Sequence, residues 1–300
     1  MKKILIIVGP TGVGKTDLSI ELAKRFNAEI ISGDSVQIYK GLDIGSAKIT
    51  EEEKQGIKHY GIDELSFLDN YSVYDFQKMS RFNIEEISKK NKLPMIVGGT
   101  GLYIKSCIYD YEFVMHEPVE FLDMDDKTNE ELYEELKKLD EFSANKIHIN
   151  NRKRIIRALT LCRLGTSKTE NENNQQHKLI YDAFIVGCTV DRALLYERIN
   201  NRVLKMIDSG LEQEIKGLLE NGLTFENQSM QAIGYKEWKD YFLNNISKEE
   251  VISLIQKNSR NFAKRQYTWF NNQMDVNWVN MLDKEEVNNI IDRIEKWIKD

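Results

Sequence analysis

Ile4-Leu5-Ile6-Ile7-Val8 runs straight into Gly9-Pro10-Thr11-Gly12-Val13-Gly14-Lys15-Thr16, and no other stretch limits the fold so tightly. Five successive aliphatic residues read as a strand buried on both faces, the place of a central strand in a parallel sheet. The eight residues that follow fit G-x-x-x-x-G-K-[ST], and Thr16 to Arg25 reads as a helix, so the loop joins a strand to a helix N-terminus as that pattern requires. Backbone N–H groups of such a loop wrap a diphosphate, Lys15 reaches its oxygens, and the Thr16 hydroxyl holds Mg²⁺.

Two more strand ends carry glycine. Ala28-Glu29-Ile30-Ile31-Ser32 ends at Gly33-Asp34, and Pro94-Met95-Ile96-Val97 ends at Gly98-Gly99-Thr100. This alternation predicts an α/β fold, a P-loop NTPase-like, doubly wound parallel sheet flanked by helices, with ligands beyond the carboxyl ends of the strands. Asp34 and Thr100 then lie on the side where the phosphate loop opens. An ionised Asp beside a diphosphate is repelled unless Mg²⁺ or basic groups screen it, so Asp34 reads as a proton acceptor for a second substrate. Position alone also fits an Asx-turn for Asp34 and a helix cap for Thr100.

Glu112 to about Asp182 has another character, and strand character resumes at Ala183 to Cys188. The expected division is a core of residues 1–111 and 183–300 with an inserted, mainly helical domain of residues 112–182. Inside the insertion an acidic helix around Thr128 to Leu139 precedes a basic helix from about Asn151 to Leu164, stopped by Gly165. The polar run Thr166 to His177 then reads as a mobile loop. Net charge is −6, yet Lys146 to Lys168 carries seven bases and no acid, while Glu112 to Glu141 carries twelve acids against three bases. A basic patch therefore coexists with an acidic whole. The last hundred residues read as helices: Arg192 to Ser209, Leu211 to Glu220, and a final one from Ser247 to Phe270 opened by a Ser247/Glu250 capping box. Arg152, Lys153, Arg154 and Arg157, and then Lys257, Arg260, Lys264 and Arg265 beside Phe262, Tyr267, Trp269 and Phe270, suit backbone tracking and base stacking on RNA. Each such stretch, like the Arg198/Arg202 pair four residues apart, also reads as a solvated helix face; the pair's other reading is a cationic lid over phosphates.

Several classes drop out. Guanine-nucleotide switches need N-K-x-D and D-x-x-G, but Asn91-Lys92-Leu93-Pro94 lacks the Asp and D-x-x-G does not occur. Met95-Ile96-Val97 leads into glycines rather than the Asp a motor ATPase uses. Cys107, Cys162 and Cys188 are odd in number with no C-x-x-C, which argues for reduced thiols and against a disulfide framework or zinc site. The first apolar run is too short for a membrane span or secretory signal, so the expectation is a cytoplasmic monomer with no membrane partner.

Beyond the phosphate loop, Ile31-Ser32-Gly33-Asp34-Ser35-Val36-Gln37-Ile38-Tyr39-Lys40-Gly41-Leu42-Asp43-Ile44-Gly45-Ser46-Ala47-Lys48 resembles the second signature of the tRNA dimethylallyltransferases, also called isopentenyl-diphosphate:tRNA transferases. Tyr71 to Gln77, Val97 to Tyr103, Arg154 to Leu159, Ala232 to Lys236 and Ala263 to Phe270 extend the resemblance over nearly the whole chain. The resemblance implies transfer of a dimethylallyl group from its diphosphate to N6 of the adenosine just 3′ of the anticodon, in tRNAs reading codons that begin with U. Residue by residue, it implies that Asp34 is the general base, that Thr100 bonds the bridging oxygen of the diphosphate, and that Arg202 holds its terminal phosphate; the lid reading adds Arg198 to the diphosphate-binding residues. Lys15 and Thr16 match the phosphate and Mg²⁺ residues. Asp34-Ser35-Val36-Gln37, Lys153-Arg154-Ile155-Ile156-Arg157 and Gln231-Ala232-Ile233-Gly234-Tyr235-Lys236 match segments that grip tRNA, and Thr100 and Lys264-Arg265 are expected tRNA contacts beside them. The chain departs from the family at Asp140-Glu141, at Ile149-Asn150-Asn151 and in a shorter insertion. Tyr39 or Tyr103 could wall a flipped-out base. Two other classes stand beside this reading: a P-loop kinase of small molecules, which would consume ATP, and a nucleotide-gated RNA-binding protein, in which Asp34→Asn would leave function intact.

Overall fold

A computed structural model, which describes residues 1–113, 124, 126–164 and 178–300, contains one six-stranded sheet. Its strands are β1 (Lys3–Val8), β2 (Ala28–Ser32), β3 (His59–Tyr60), β4 (Leu93–Gly98), β5 (Asp182–Thr189) and β6 (Asn277–Asn280). They lie in the order β3-β2-β4-β1-β5-β6, all parallel. As the unbroken apolar run requires, β1 is interior, and Ile4 to Val8 are fully buried. The helix Lys15–Arg25 returns the chain from β1 to β2 and buries Leu18, Leu22 and Ala23 in the same core as Leu5, Ile7, Ile30 and Met95.

Register places the working ends level with one another. Val8 pairs with Gly98 and with Gly187, and Ser32 pairs with Val97, so β1, β2 and β4 all end at one edge. There the Gly33 N–H donates to the Val97 carbonyl (2.8 Å) and the Thr100 N–H to the Gly33 carbonyl (3.2 Å). A Cβ on Gly98 would drive into the Gly33 backbone, so glycine at that position permits the close approach of these two turns.

Several elements go beyond the sequence expectations. The helix Val73–Lys89 starts at a Ser72/Asp75 capping box and buries Phe76, Ser80, Ile84 and Ile87 at helical spacing. The helix read as final runs Lys248–Gln273, opens with the expected Ser247/Glu250 box, and is not final: β6 and the helix Lys284–Lys299 follow. A four-residue Asn-Trp-Val-Asn strand has no run long enough to announce itself; β5 supplies its pairing.

The chain divides into two compact units, residues 1–108 with 180–300, and residues 109–179. The expected boundaries at 111/112 and 182/183 differ by three residues. Ile180 N–H bonds the Ile108 carbonyl in the first unit, and Asp110 N–H bonds the Lys178 carbonyl in the second. In the second unit, helices Asn129–Leu139, Glu141–Lys146 and Arg152–Arg163 enclose Leu132, Leu136, Ala144, Ile155 and Leu159. Arg152 is spent inside this unit, donating to the Lys127 carbonyl at 2.7 Å, so it is structural rather than part of a free basic patch. Gly165 and the polar run Thr166 to His177 lie outside the described residues. No helix among the described residues is long and apolar enough to cross a membrane.

Truncating Leu5, fully buried in the core of the first unit, to alanine is expected to cost about 2–5 kcal/mol. A fall in the denaturant midpoint at unchanged m-value checks this.

Candidate active site

Glycines shape the phosphate loop: Gly9, Gly12 and Gly14 have φ of 143°, 80° and 102°. A Cβ on Gly9 would stand 2.7 Å from the Cys188 carbonyl, so only glycine lets the loop leave β1 beside the end of β5. The side chains of Pro10 and Val13 are buried. Lys15 begins the helix and folds back, its Nζ donating to the Pro10 carbonyl at 2.7 Å. Burial pushes its ammonium from 10.5 down to about 8; Cys188 and Asp34 oppose that shift and the Arg202 guanidinium adds to it. Burial likewise raises the Cys188 thiol to about 12, which keeps it protonated and inert under the loop. Thr16, the second helical residue, is exposed and borders the same space.

That space is a cavity of about 780 Å³ bordered by Thr11, Gly12, Gly14, Lys15, Thr16, Arg198 and Arg202. A second cavity, of about 430 Å³, adjoins it and shares Thr11, Asp34, Ser46, Arg202, Phe262 and Gln266 with it. Asp34 therefore stands with Lys15 at one site, at the junction of an anion-seeking compartment and a more apolar one. One oxygen of Asp34 accepts from the Val36 N–H (2.8 Å) and more weakly from the Gln37 N–H (3.3 Å), an Asx-turn that aims the carboxylate. The Asx-turn reading of Asp34 holds; the turn employs Oδ1 and leaves Oδ2 unbonded to the described residues. Thr100 borders the second cavity, and its carbonyl accepts from Tyr103 N–H and Ile104 N–H at the helix start. Arg202 donates to the Ala47 carbonyl at 3.5 Å; burial lowers its guanidinium while Asp34 pulls it upward.

Segments far apart in sequence form the rest of the second cavity. Ser35 and Val36 border it from the signature loop, Gln231, Ala232, Ile233, Gly234 and Lys236 from a late loop, and Arg265 from the helix Lys248–Gln273. Gln37 borders the first cavity and ties its Nε2 to the Ala47 carbonyl at 3.3 Å. One carboxylate joins the two loops: Glu214 accepts from the N–H groups of Asp43 (3.0 Å), Ile44 (2.7 Å) and Gly45 (3.2 Å) and from the Tyr235 hydroxyl (2.7 Å). A Cβ on Gly45 would reach 2.5 Å from the Tyr235 ring. Nothing in the spacing of Glu214 in its helix announced this clamp.

Three assignments need correction. Tyr235 is fully buried with its hydroxyl on Glu214, so it supports the cavity wall instead of touching a ligand. Ile155 is fully buried in the second unit's core, and Ile156 packs against it, leaving Lys153, Arg154 and Arg157 as the exposed members of that segment. Tyr103 stacks on Phe76 with ring centroids 4.8 Å apart and does not border either cavity, whereas Tyr39 borders the second. Lys264 is exposed outside both cavities.

A family profile described as IPP transferase matches residues 37–273. The chain is 48% identical over 98% of its length to the tRNA dimethylallyltransferase of Bacillus cytotoxicus, covering 95% of that protein. The match to the Anoxybacillus flavithermus protein of the same name is 48% over 98%, covering 96% of it. Among solved structures, the tRNA delta(2)-isopentenylpyrophosphate transferase of Staphylococcus epidermidis superposes with a TM-score of 0.74 at 43% identity, over 100% of this chain and 99% of that one. A eukaryotic dimethylallyltransferase acting on tRNA superposes with a TM-score of 0.79 at 29% identity, over 95% of this chain and 75% of that one.

Two measurements follow from the geometry. With Lys15 titrating near 8, its positive charge is complete well below that pH and lost above it. Calorimetric affinity for inorganic diphosphate should therefore weaken by up to about tenfold per pH unit on the alkaline side, a limb that Lys15→Ala flattens. Removing the Glu214 acceptor by Glu214→Ala strands four donors; hydrogen exchange at Asp43 to Gly45 should report a local loss of about 2–3 kcal/mol.

Proposed function

Because this chain belongs to the IPP transferase family, we propose that it transfers a dimethylallyl group from dimethylallyl diphosphate to N6 of the adenosine 3′-adjacent to the anticodon, in tRNAs reading codons that begin with U, releasing diphosphate. The observation that carries this reading is the convergence of the phosphate loop, Arg202 and Asp34 on two adjoining cavities, one suited to an anion and one large and apolar enough for a prenyl chain beside a purine. A small-molecule kinase would share the first cavity and could seat an acceptor in the second, but it does not account for the family match of the loops around them.

Adenine N6 is a weak nucleophile because its lone pair is delocalised into the ring. As N6 bonds the allylic carbon and the carbon–oxygen bond breaks, Asp34 takes one N6 proton and the bond's electron pair leaves with the diphosphate. A positioned base of this kind contributes typically about 10²–10⁴-fold. Negative charge grows on the leaving group at the same moment. The loop N–H groups, Lys15, Arg198, Arg202 and the Thr100 hydroxyl are the donors that would meet it, each well-placed one being worth on the order of 3 kcal/mol in the transition state. The anticodon-loop adenosine must be flipped out to enter the second cavity. Gln231 to Gly234, Lys236 and Arg265 line its entrance walls, while Lys153, Arg154 and Arg157 expose charge on the second unit for the tRNA backbone.

Mg²⁺ suits the oxygen set here. The exposed Thr16 hydroxyl has no partner among the described residues, and no cluster of three or more His, Cys, Asp or Glu among them could cage an ion. A cation that keeps its waters and shares substrate phosphates matches such a sparse site, where it would neutralise leaving-group charge. We place the reaction in the cytoplasm, carried out by a monomer.

Incubation with Mg²⁺, labelled dimethylallyl diphosphate and unmodified tRNA, without ATP, should label the tRNA and release diphosphate. Label transfer that depends on ATP, or phosphate transfer in its place, would return the kinase reading. Asp34→Asn should lower turnover by about 10²–10⁴-fold with tRNA affinity in a filter-binding assay little changed; equal turnover excludes Asp34 as the base.

A further inference from the structure

Phe262 lies on the helix Lys248–Gln273, borders both cavities and is 36% exposed. Among the described residues, the phenylalanine, tyrosine and tryptophan side chains that border either cavity are Tyr39 and Phe262. Tyr39 is 1% exposed, so little of its ring is open to a ligand, and Tyr103 is engaged with Phe76. Phe262 therefore carries the accessible aromatic surface of the site. One helical turn on, the Arg265 guanidinium lies over its ring, 5.7 Å from the centroid, and Arg265 borders the second cavity as well. Ala263 and Gln266 on the same helix are buried, which turns Phe262 and Arg265 away from the core. Folding gains little from apolar area left in water, whereas a ligand that covers the ring gains what folding did not.

Three parts of the two substrates offer a surface to such a ring: the allylic carbon as it turns cationic, the methyl groups of the prenyl chain, and the flat face of the nucleobase. A ring that shelters a forming cation has to be dry, because water traps the cation, and Phe262 is open to solvent. The methyl groups need only an aliphatic wall, which the buried Ile199, Val203 and Ile255 already supply in the second cavity. A flipped-out purine, by contrast, has given up the bases above and below it and gains from a flat surface put in their place. We infer that Phe262 is the stacking platform for the flipped-out nucleobase, its ring against the purine face, with Arg265 beside it for the adjoining RNA backbone. This rests on the prenyl-transfer reading above and deepens it. The ring makes and breaks no bond. N6 lies in the plane of the purine, so a surface that fixes the plane fixes the direction in which the amine approaches the donor. Stacking adds affinity without reading identity, since every base has such a face.

The test is a double-mutant cycle between protein and RNA. Anticodon stem-loops bearing adenosine or an abasic ribose at the target position are titrated, with inorganic diphosphate present, against the full-length wild type, Phe262→Leu and Phe262→Tyr. Leucine keeps apolar bulk and removes the flat ring; tyrosine keeps the ring. Wild type should bind the adenosine RNA more tightly than the abasic one. That ratio should fall about five- to fiftyfold in Phe262→Leu and be retained in Phe262→Tyr, with the abasic RNA bound alike by all three. A ratio untouched in Phe262→Leu overturns the inference, as does its loss in both variants or a wild-type ratio near one. The KM for dimethylallyl diphosphate should be little changed in Phe262→Leu; a rise there with the RNA ratio intact assigns the ring to the prenyl chain and overturns the inference too. Absence of label transfer to the adenosine stem-loop by wild type would instead bring down the parent reading.

Discussion

A diphosphate can leave a carbon only if the charge it carries away meets donors already in place, and those donors have to stand on something that does not move. In this chain that support is β1, interior to a parallel sheet and bonded on both sides by β4 and β5. Its burial makes the loop at Gly9 to Lys15 rigid at the base, and the level register of β1, β2 and β4 brings Asp34 and Thr100 to the same edge. The close contact of Gly33 with Gly98 keeps the two turns adjacent. Asp34, Thr100 and the phosphate loop are therefore set by one piece of hydrogen-bonded backbone.

The second cavity is built differently. Its walls come from the loop after β2, from the late loop around Gly234 and from the helix Lys248–Gln273, none of which is a strand end. Such segments need a separate anchor, and Glu214 provides it by gathering three backbone N–H groups and the Tyr235 hydroxyl on a single carboxylate. Charge-assisted bonds of this type are the strong ones, and their loss leaves several donors buried at once. Rigid strand ends around the first cavity and clamped loops around the second is a division of support between the two halves of the site.

Much of this was readable in advance, for reasons that can be traced to individual residues. Ile4 to Val8 and the glycine spacing of the loop encode strand and turn locally, and the Ser247/Glu250 box encodes a helix start locally, so each was found where expected. The Ser72/Asp75 box carries the same kind of local signal for Val73–Lys89. By contrast, β6 depends on β5 for its identity, and Arg152, Ile155 and Tyr235 depend on partners many positions away. Arg152, Ile155 and Tyr235 do not serve as ligand contacts, which sequence does not reveal, because a side chain looks the same there whether it faces solvent or packs against buried partners.

What the residues determined by themselves is the chemistry that short-range geometry can hold: a diphosphate cradle between strand and helix, an Asx-turn carboxylate, a basic helix. Spacing within ten or so residues is enough for those, since backbone dihedrals and capping bonds act over that range. Tertiary structure alone decided that Lys15, Arg202 and Asp34 meet at one junction, that Glu214 holds the wall around it, and that Phe262 borders both cavities with its ring exposed. Those meetings require the folding of elements separated by up to two hundred and more positions, and no local rule carries that distance.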